Sequence, residues 1–243
     1  MSRLHLGALI ATGAVAALIC TGCSSTSGTA APATAPAAPA AASAAPASLD
    51  AAKAGSAVAD AAKQAKAVHV RGTVADGGNV NLDLQLNPDS ASGTIVKDGI
   101  EVPVLRVGDK YYFRFSDSLI KEAGIPASVG KLLKDKWVPS TSQIGAGVGE
   151  AFKQFLDYKT FTDNTIGQLD STTFTGGEQT TAAGVPALTF TSSDGTATVA
   201  AGEPHYLLRI QDSKSGTMEF GDWDKPTTVT EPKAAEIYSG PGA

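Results

Sequence analysis

Val80, Leu82, Leu84 and Leu86 alternate with Asn81, Asp83 and Gln85. A period of two held this long describes a strand with one buried and one wet face, and a helix cannot use it because its faces repeat every 3.6 residues. The pattern continues on both sides. Val68, Val70, Gly72 and Val74 alternate with His69, Arg71 and Thr73, and Gly77-Gly78 turns the chain into the run just described. Asn87, Pro88 and Asp89 make the next turn, and residues 93–97 return. Asp98-Gly99 is a two-residue hairpin signal leading into Ile100, Val102 and Val104, and Gly108-Asp109 is another leading into 110–115. Five strands in a meander therefore occupy 68–115. Strands resume after residue 165, at Phe174, 185–190, 196–200, 206–210, 218–220 and 227–229, separated by Gly184, Asp194-Gly195, Gly202 and Ser215-Gly216.

Helical spacing appears in three places. Ser48 is an N-cap candidate before a run in which Leu49, Ala52, Val58, Ala61, Ala62 and Ala65 form a thin apolar stripe, with Asp50 in the first turn. Residues 117–135 carry Leu119, Ile120 and Ala123, then Val129, Leu132 and Leu133. Pro126 divides them into two short helices. Residues 148–158 carry Phe152, Phe155 and Leu156, and Trp137-Val138-Pro139 lies between these helical blocks. Sheet, helices, sheet is the order. It predicts an α+β domain over 50–238, a single curved antiparallel sheet (a half-barrel of about ten or eleven strands) with helices covering its concave face. Residues 239–243 are read as a flexible tail.

The N-terminus is of another kind. Arg3 precedes the uncharged stretch 6–19, whose 14 residues match a signal-peptide core and are short for a membrane span. Thr21 and Gly22 before Cys23 resemble the bacterial lipobox, in which the cysteine is acylated and becomes the new N-terminus. Cys20 stands where that motif usually has Leu. Residues 1–22 are thus read as a lipoprotein signal peptide and Cys23 as the lipidation site. Cys20 and Cys23 are the only cysteines, so the exported body has no disulfide, no cysteine metal site and no cysteine nucleophile. Residues 24–48 hold only Ser, Thr, Gly, Ala and Pro, a composition that cannot bury enough apolar surface to fold. Residues 24–48 reach about 75 Å if extended or about 30 Å as a coil, and with the acylated cysteine residues 23–49 form a disordered tether. The chain is expected on the extracytoplasmic face of the cell membrane.

The chemistry of catalysis is hard to find. A net charge of −5 and a pI near 5.2 exclude a nucleic-acid partner, which needs clustered Lys and Arg. His69 falls on the polar side of its strand and His205 follows Gly202-Glu203-Pro204 in a turn. Residues 145–149 are glycine-rich, but no strand precedes them and no Lys-Ser/Thr follows, so they read as a loop. Asp222 and Asp224 flank Trp223 without a third ligand. No metal, no cofactor and no enzymatic activity is expected.

What remains is the apolar surface of the helical block: Leu119, Ile120, Leu132, Leu133, Phe152, Phe155 and Leu156. These side chains either fill the core or line a cavity left between helices and sheet. The residues themselves do not choose. Five phrases bear on the choice: VHVRGTV at 68–74, VPVLRVGDKYYFRF at 102–115, Lys136-Trp137-Val138, EPHYLLRI at 203–210 and MEFGDWDKPTTVTEP at 218–232. Together with Gly184-Val185-Pro186-Ala187, the lipobox and the tether, they resemble the actinobacterial lipoproteins of the LppX/LprG type, related in fold to the carrier LolA. The resemblance implies a half-open sheet with helices lining a hydrophobic cavity, and an anchored monomer that binds or transfers a lipid or other acylated ligand, with an envelope transport partner. The alternative is a non-enzymatic surface interaction or structural lipoprotein with a filled core.

Overall fold

The structure, a computed structural model, describes residues 48–75, 79–214 and 216–243. Cys23 and the signal-peptide and tether readings of residues 1–47 lie outside the described residues. In chain order the elements are α1 (Ala51–Gln64), β1 (Val68–Ala75), β2 (Asn79–Asn87), β3 (Ser90–Lys97), β4 (Ile100–Val107) and β5 (Lys110–Arg114). Next come α2 (Asp117–Glu122), α3 (Ala127–Leu133), β6 (Trp137–Pro139), α4 (Ala146–Leu156), α5 (Tyr158–Thr165) and a 3-10 turn (Gly167–Ser171). The chain then gives β7 (Thr175–Ala182), β8 (Val185–Thr191), β9 (Gly195–Ala200), β10 (Leu207–Asp212) and β11 (Gly216–Gly221).

All eleven strands form one antiparallel sheet in the order β6-β5-β4-β3-β2-β1-β11-β10-β9-β8-β7. Two meanders fan out from the central β1–β11 pair, and β6 and β7 are left as the edges, so the sheet stays open. The chain passes from one edge to the other through α4, α5 and the 3-10 turn. That connection therefore crosses a face of the sheet, and its apolar side chains pack there: Phe152, Leu156, Phe161 and Ile166 join one core with Leu84, Val104, Phe113 and Phe190. Curvature has a local cause at Gly72 and Gly93. Their φ angles are 137° and 149°, and a side chain at either would lie 2.1 Å from a carbonyl oxygen of the adjoining strand. Strands meeting at such points coil more tightly than side chains would permit.

The meander topology gives the sheet two distinct ends. The β1–β2, β3–β4, β8–β9 and β10–β11 turns, with the α2–α3 connection between β5 and β6, share the upper rim. The β2–β3, β4–β5, β7–β8 and β9–β10 turns share the lower rim.

Four details depart from the sequence expectation. Asp50, not Ser48, caps α1, accepting from the Ala52 N–H at 2.9 Å. The glycine-rich stretch expected as a loop opens α4, because the Ser142 carbonyl accepts from the Ala146 N–H and the Ser142 hydroxyl accepts from Gly145. Trp137-Val138-Pro139 is an edge strand, and an edge tolerates the missing proline N–H. Residues 227–229 are not a strand. Buried Asn87 takes both backbone groups of Thr227, accepting its N–H and donating to its carbonyl, and so replaces a neighbouring strand.

Candidate ligand clefts

The inner face of β1, β10 and β11 is apolar from rim to rim, but the helices do not cover all of it. On β1, Val68 and Val70 are fully buried and Val74, nearer the upper rim, is half-buried. On β11, Phe220 is buried and Met218 half-buried. On β10, a bulge between Leu207 and Arg209 changes which residues face inward. Leu207 and Ile210, an odd number apart, both end up on the inner face, opposite Val199 and Ala197 respectively. Leu207 is buried and Ile210 half-buried. Three neighbouring strands thus carry apolar side chains past the edge of the helical layer into open space.

Two clefts occupy that space, and a third opens elsewhere on the same rim. The first, of about 320 Å³, has Val74, Phe174, Ala197, Ile210 and Met218 as apolar walls together with Leu169 of the 3-10 turn, and Asn164, Gln168, Asp194 and Gln211 also line it. The second, also about 320 Å³, shares Val74, Asn164 and Thr165 with the first and adds Phe155 and Phe161. The third, of about 360 Å³, lies between the β3–β4 turn and α2, where Ile100, Val102, Leu119 and Phe152 face Lys97 and Glu122. Each is at the lower end of the size range of small-molecule sites. Lys97 stands on the inner face at the upper rim, in register with Val80 and Ile100, and makes no ion pair among the described residues.

The lower end is closed. Arg106, on the inner face of β4 and 8% exposed, pairs with Asp157 at 3.2 Å and donates to the Pro88 and Gly108 carbonyls. Asp157 caps α5 through the Thr160 N–H at 2.8 Å. Burial pushes its carboxyl up, but the Thr160 hydrogen bonds and the Arg106 charge outweigh that and hold it below the ordinary carboxylate value. The Tyr158 hydroxyl donates to the Ala62 carbonyl at 2.8 Å, joining α5 to α1, and burial drives that phenol well above its usual range. The Trp223 indole donates to the Leu207 carbonyl at 2.8 Å, and its ring stacks on Tyr206 at 4.7 Å.

The residues singled out from the sequence fall in three places: cleft walls, buried core and surface. Leu119 and Phe152 meet in the third cleft and Phe155 lines the second. Ile120, Leu133 and Leu156 are buried in the core. Leu132 is 53% exposed and faces Ala234, Ala235 and Ile237 of the C-terminal segment across a separate cleft. The strand side of the clefts (Val74, Ile210, Met218) is not legible in the sequence. The last inner-face residue before a turn has the same period whether or not a helix covers it.

The two histidines lie elsewhere. His69 is on the outer face, with Nε2 2.7 Å from Asp83 and Nδ1 3.8 Å from Asp222. The His69 bond, the largest cause, and the Arg71 charge hold the Asp83 carboxyl below its ordinary value. His205 Nδ1 lies 3.1 Å from the Ala200 carbonyl oxygen. No hydroxyl side chain bonds to either histidine among the described residues, and no group of three or more His, Cys, Asp or Glu there is placed to hold a metal ion.

No family model matches the chain, and no curated protein matches its sequence. Among solved structures, LprF from Mycobacterium bovis is similar with a TM-score of 0.51 at 12% identity, over 75% of this chain and 96% of LprF. The Mycobacterium tuberculosis lipoprotein LppX is similar with a TM-score of 0.45 at 16% identity, over 74% and 98%. The chain therefore has the fold of the LppX/LprG-type lipoproteins, as its strand phrases implied.

Proposed function

We propose that this protein is a membrane-anchored extracytoplasmic lipoprotein, acylated at Cys23, that binds or transfers a lipid or other hydrophobic ligand in the cell envelope. The observation that carries the reading is the uncovered apolar inner face at Val74, Ile210 and Met218, which a soluble domain has no structural reason to leave half-exposed along three adjacent strands. In this reading Phe155, Leu119 and Phe152 contact the ligand from the helical side, while Ile120, Leu133 and Leu156 hold the helices on the sheet. Lys97 and the amide residues among the cleft linings (Asn164, Gln168) suit an amphiphile whose polar head stays in water. The role is non-enzymatic, and an envelope transport partner would receive the ligand.

A second reading, a structural or interaction lipoprotein, is favoured by the filled lower core and by the exposed edge strand β7. Native mass spectrometry of residues 48–243, which hold every described strand and helix, followed by organic extraction separates the two. Carriage predicts a stoichiometric lipid adduct that Ile210→Trp removes, because the larger ring fills the first cleft. A bare protein mass after expression in a lipid-rich host and incubation with lipid overturns carriage in favour of the structural reading.

A further inference from the structure

We propose that the upper rim is also a docking face for an anionic lipid bilayer, with α3 as the contact element, so that the cleft mouths open toward the membrane. The inference rests on the carrier reading for its purpose, but on separate observations for its geometry.

The first observation is where the chain outside the structure joins the domain. The described residues begin just before α1, whose N-terminal end lies at the upper rim. A side chain at Gly177, near the upper end of β7, would sit 3.6 Å from the Leu49 carbonyl oxygen. The 24 residues between Cys23 and Ser48 thus lead to the same end of the sheet as the three clefts. A tether entering at the lower rim would favour the opposite orientation.

The second observation is the chemistry of the α2–α3 connection on that rim. Exposed large apolar side chains are rare among the described residues, and Leu132, at 53%, is more exposed than Val185, at 42%. Leu132 sits on the outward side of α3 with exposed Pro126, Ala127, Lys131 and Lys134 around it. Residues 127–134, which are α3 and its C-cap, carry Lys131 and Lys134 and no acidic residue in a chain of net charge −5, while nearby Arg114 lies over the Trp137 ring and Lys136 donates to the Ala235 carbonyl. An apolar tip flanked by lysines is the composition that seats on an anionic interface: the leucine enters the acyl boundary and the ammonium groups meet headgroup charge. Val185, at the β7–β8 turn on the lower rim, supplies an internal control.

The test is flotation of residues 48–243 with phosphatidylcholine vesicles containing a rising fraction of phosphatidylglycerol. Binding is expected to climb with the anionic fraction and to weaken with salt. Leu132→Asp should lower the partition coefficient about tenfold or more, and Lys131→Glu with Lys134→Glu should abolish the dependence on phosphatidylglycerol. Val185→Asp should leave both unchanged. All these side chains are exposed, so thermal unfolding should not move. Absence of vesicle binding at every composition overturns the proposal, as does equal loss from Leu132→Asp and Val185→Asp, which would assign contact to no particular end. Ligand occupancy is read on the same samples by native mass spectrometry. Docking lost with occupancy kept supports the orientation, whereas an empty cleft in a protein that still docks counts against the carrier reading alone.

Discussion

The two ends of the inner face are built from the same residue types and finished differently. At the lower rim the strands present Leu84, Leu86, Leu207 and Phe220, and the cover is locked by the Arg106–Asp157 pair and the Tyr158 hydroxyl. At the upper rim the strands present Val74, Ile210 and Met218, equally apolar, and no comparable polar lock crosses them among the described residues. A buried ion pair is expensive to assemble and poor as a general source of stability, but it fixes geometry. Placed at one end only, it lets one part of a helical layer be a rigid wall while the other stays open.

That contrast can be broken from the closed end first. Leu156→Ala empties a fully buried site and should cost about 3.5 kcal/mol in chemical denaturation, with ligand stoichiometry per folded molecule unchanged. Arg106→Met strands the Asp157 carboxylate and should cost about 2.5 kcal/mol at neutral pH. Because the carboxyl of Asp157 is lowered in the folded state, its contribution is complete above the ordinary value of 3.8 and is lost as pH falls through the lowered value. Stability curves of wild type and Arg106→Met should therefore converge in acid, and curves that stay parallel would remove the ion pair from the account. Tyr158→Phe leaves the Ala62 carbonyl without its donor and should cost about 1 kcal/mol, read by thermal unfolding.

The open end is expected to behave in the reverse manner. Ile210→Ala trims a half-buried side chain and should change stability by about 1 kcal/mol or less, yet it enlarges the first cleft and should alter which acyl lengths co-purify. A large loss of stability there would mean that the cleft is packed in solution.

How much of this could be read beforehand depends on the length scale of each signal. The unbroken alternation of Val80 to Leu86 and the Asp98-Gly99 turn revealed the meander, because period and turn chemistry are local. Residues 227–229 misled because their β-branched composition is local too, while the Asn87 side chain that claims Thr227 is remote in sequence. α5 was hidden in a threonine-rich stretch whose helical state depends on the Asp157 cap. In the candidate site, Leu119, Phe152 and Phe155 were legible as apolar helix residues. The bulge that turns Ile210 inward, and the point at which helical cover ends above Met218, are properties of pairing and packing that no single segment encodes.

The most direct measurement is photo-crosslinking of residues 48–243 with a diazirine-bearing phospholipid, followed by peptide mapping. With the adducts placed on single residues by fragmentation, the account predicts labelling at Val74, Ile210, Met218 and Phe155, and none at Leu86, Leu207 or Phe220. Labelling concentrated on the lower-rim residues, or spread evenly over the outer surface, would contradict it.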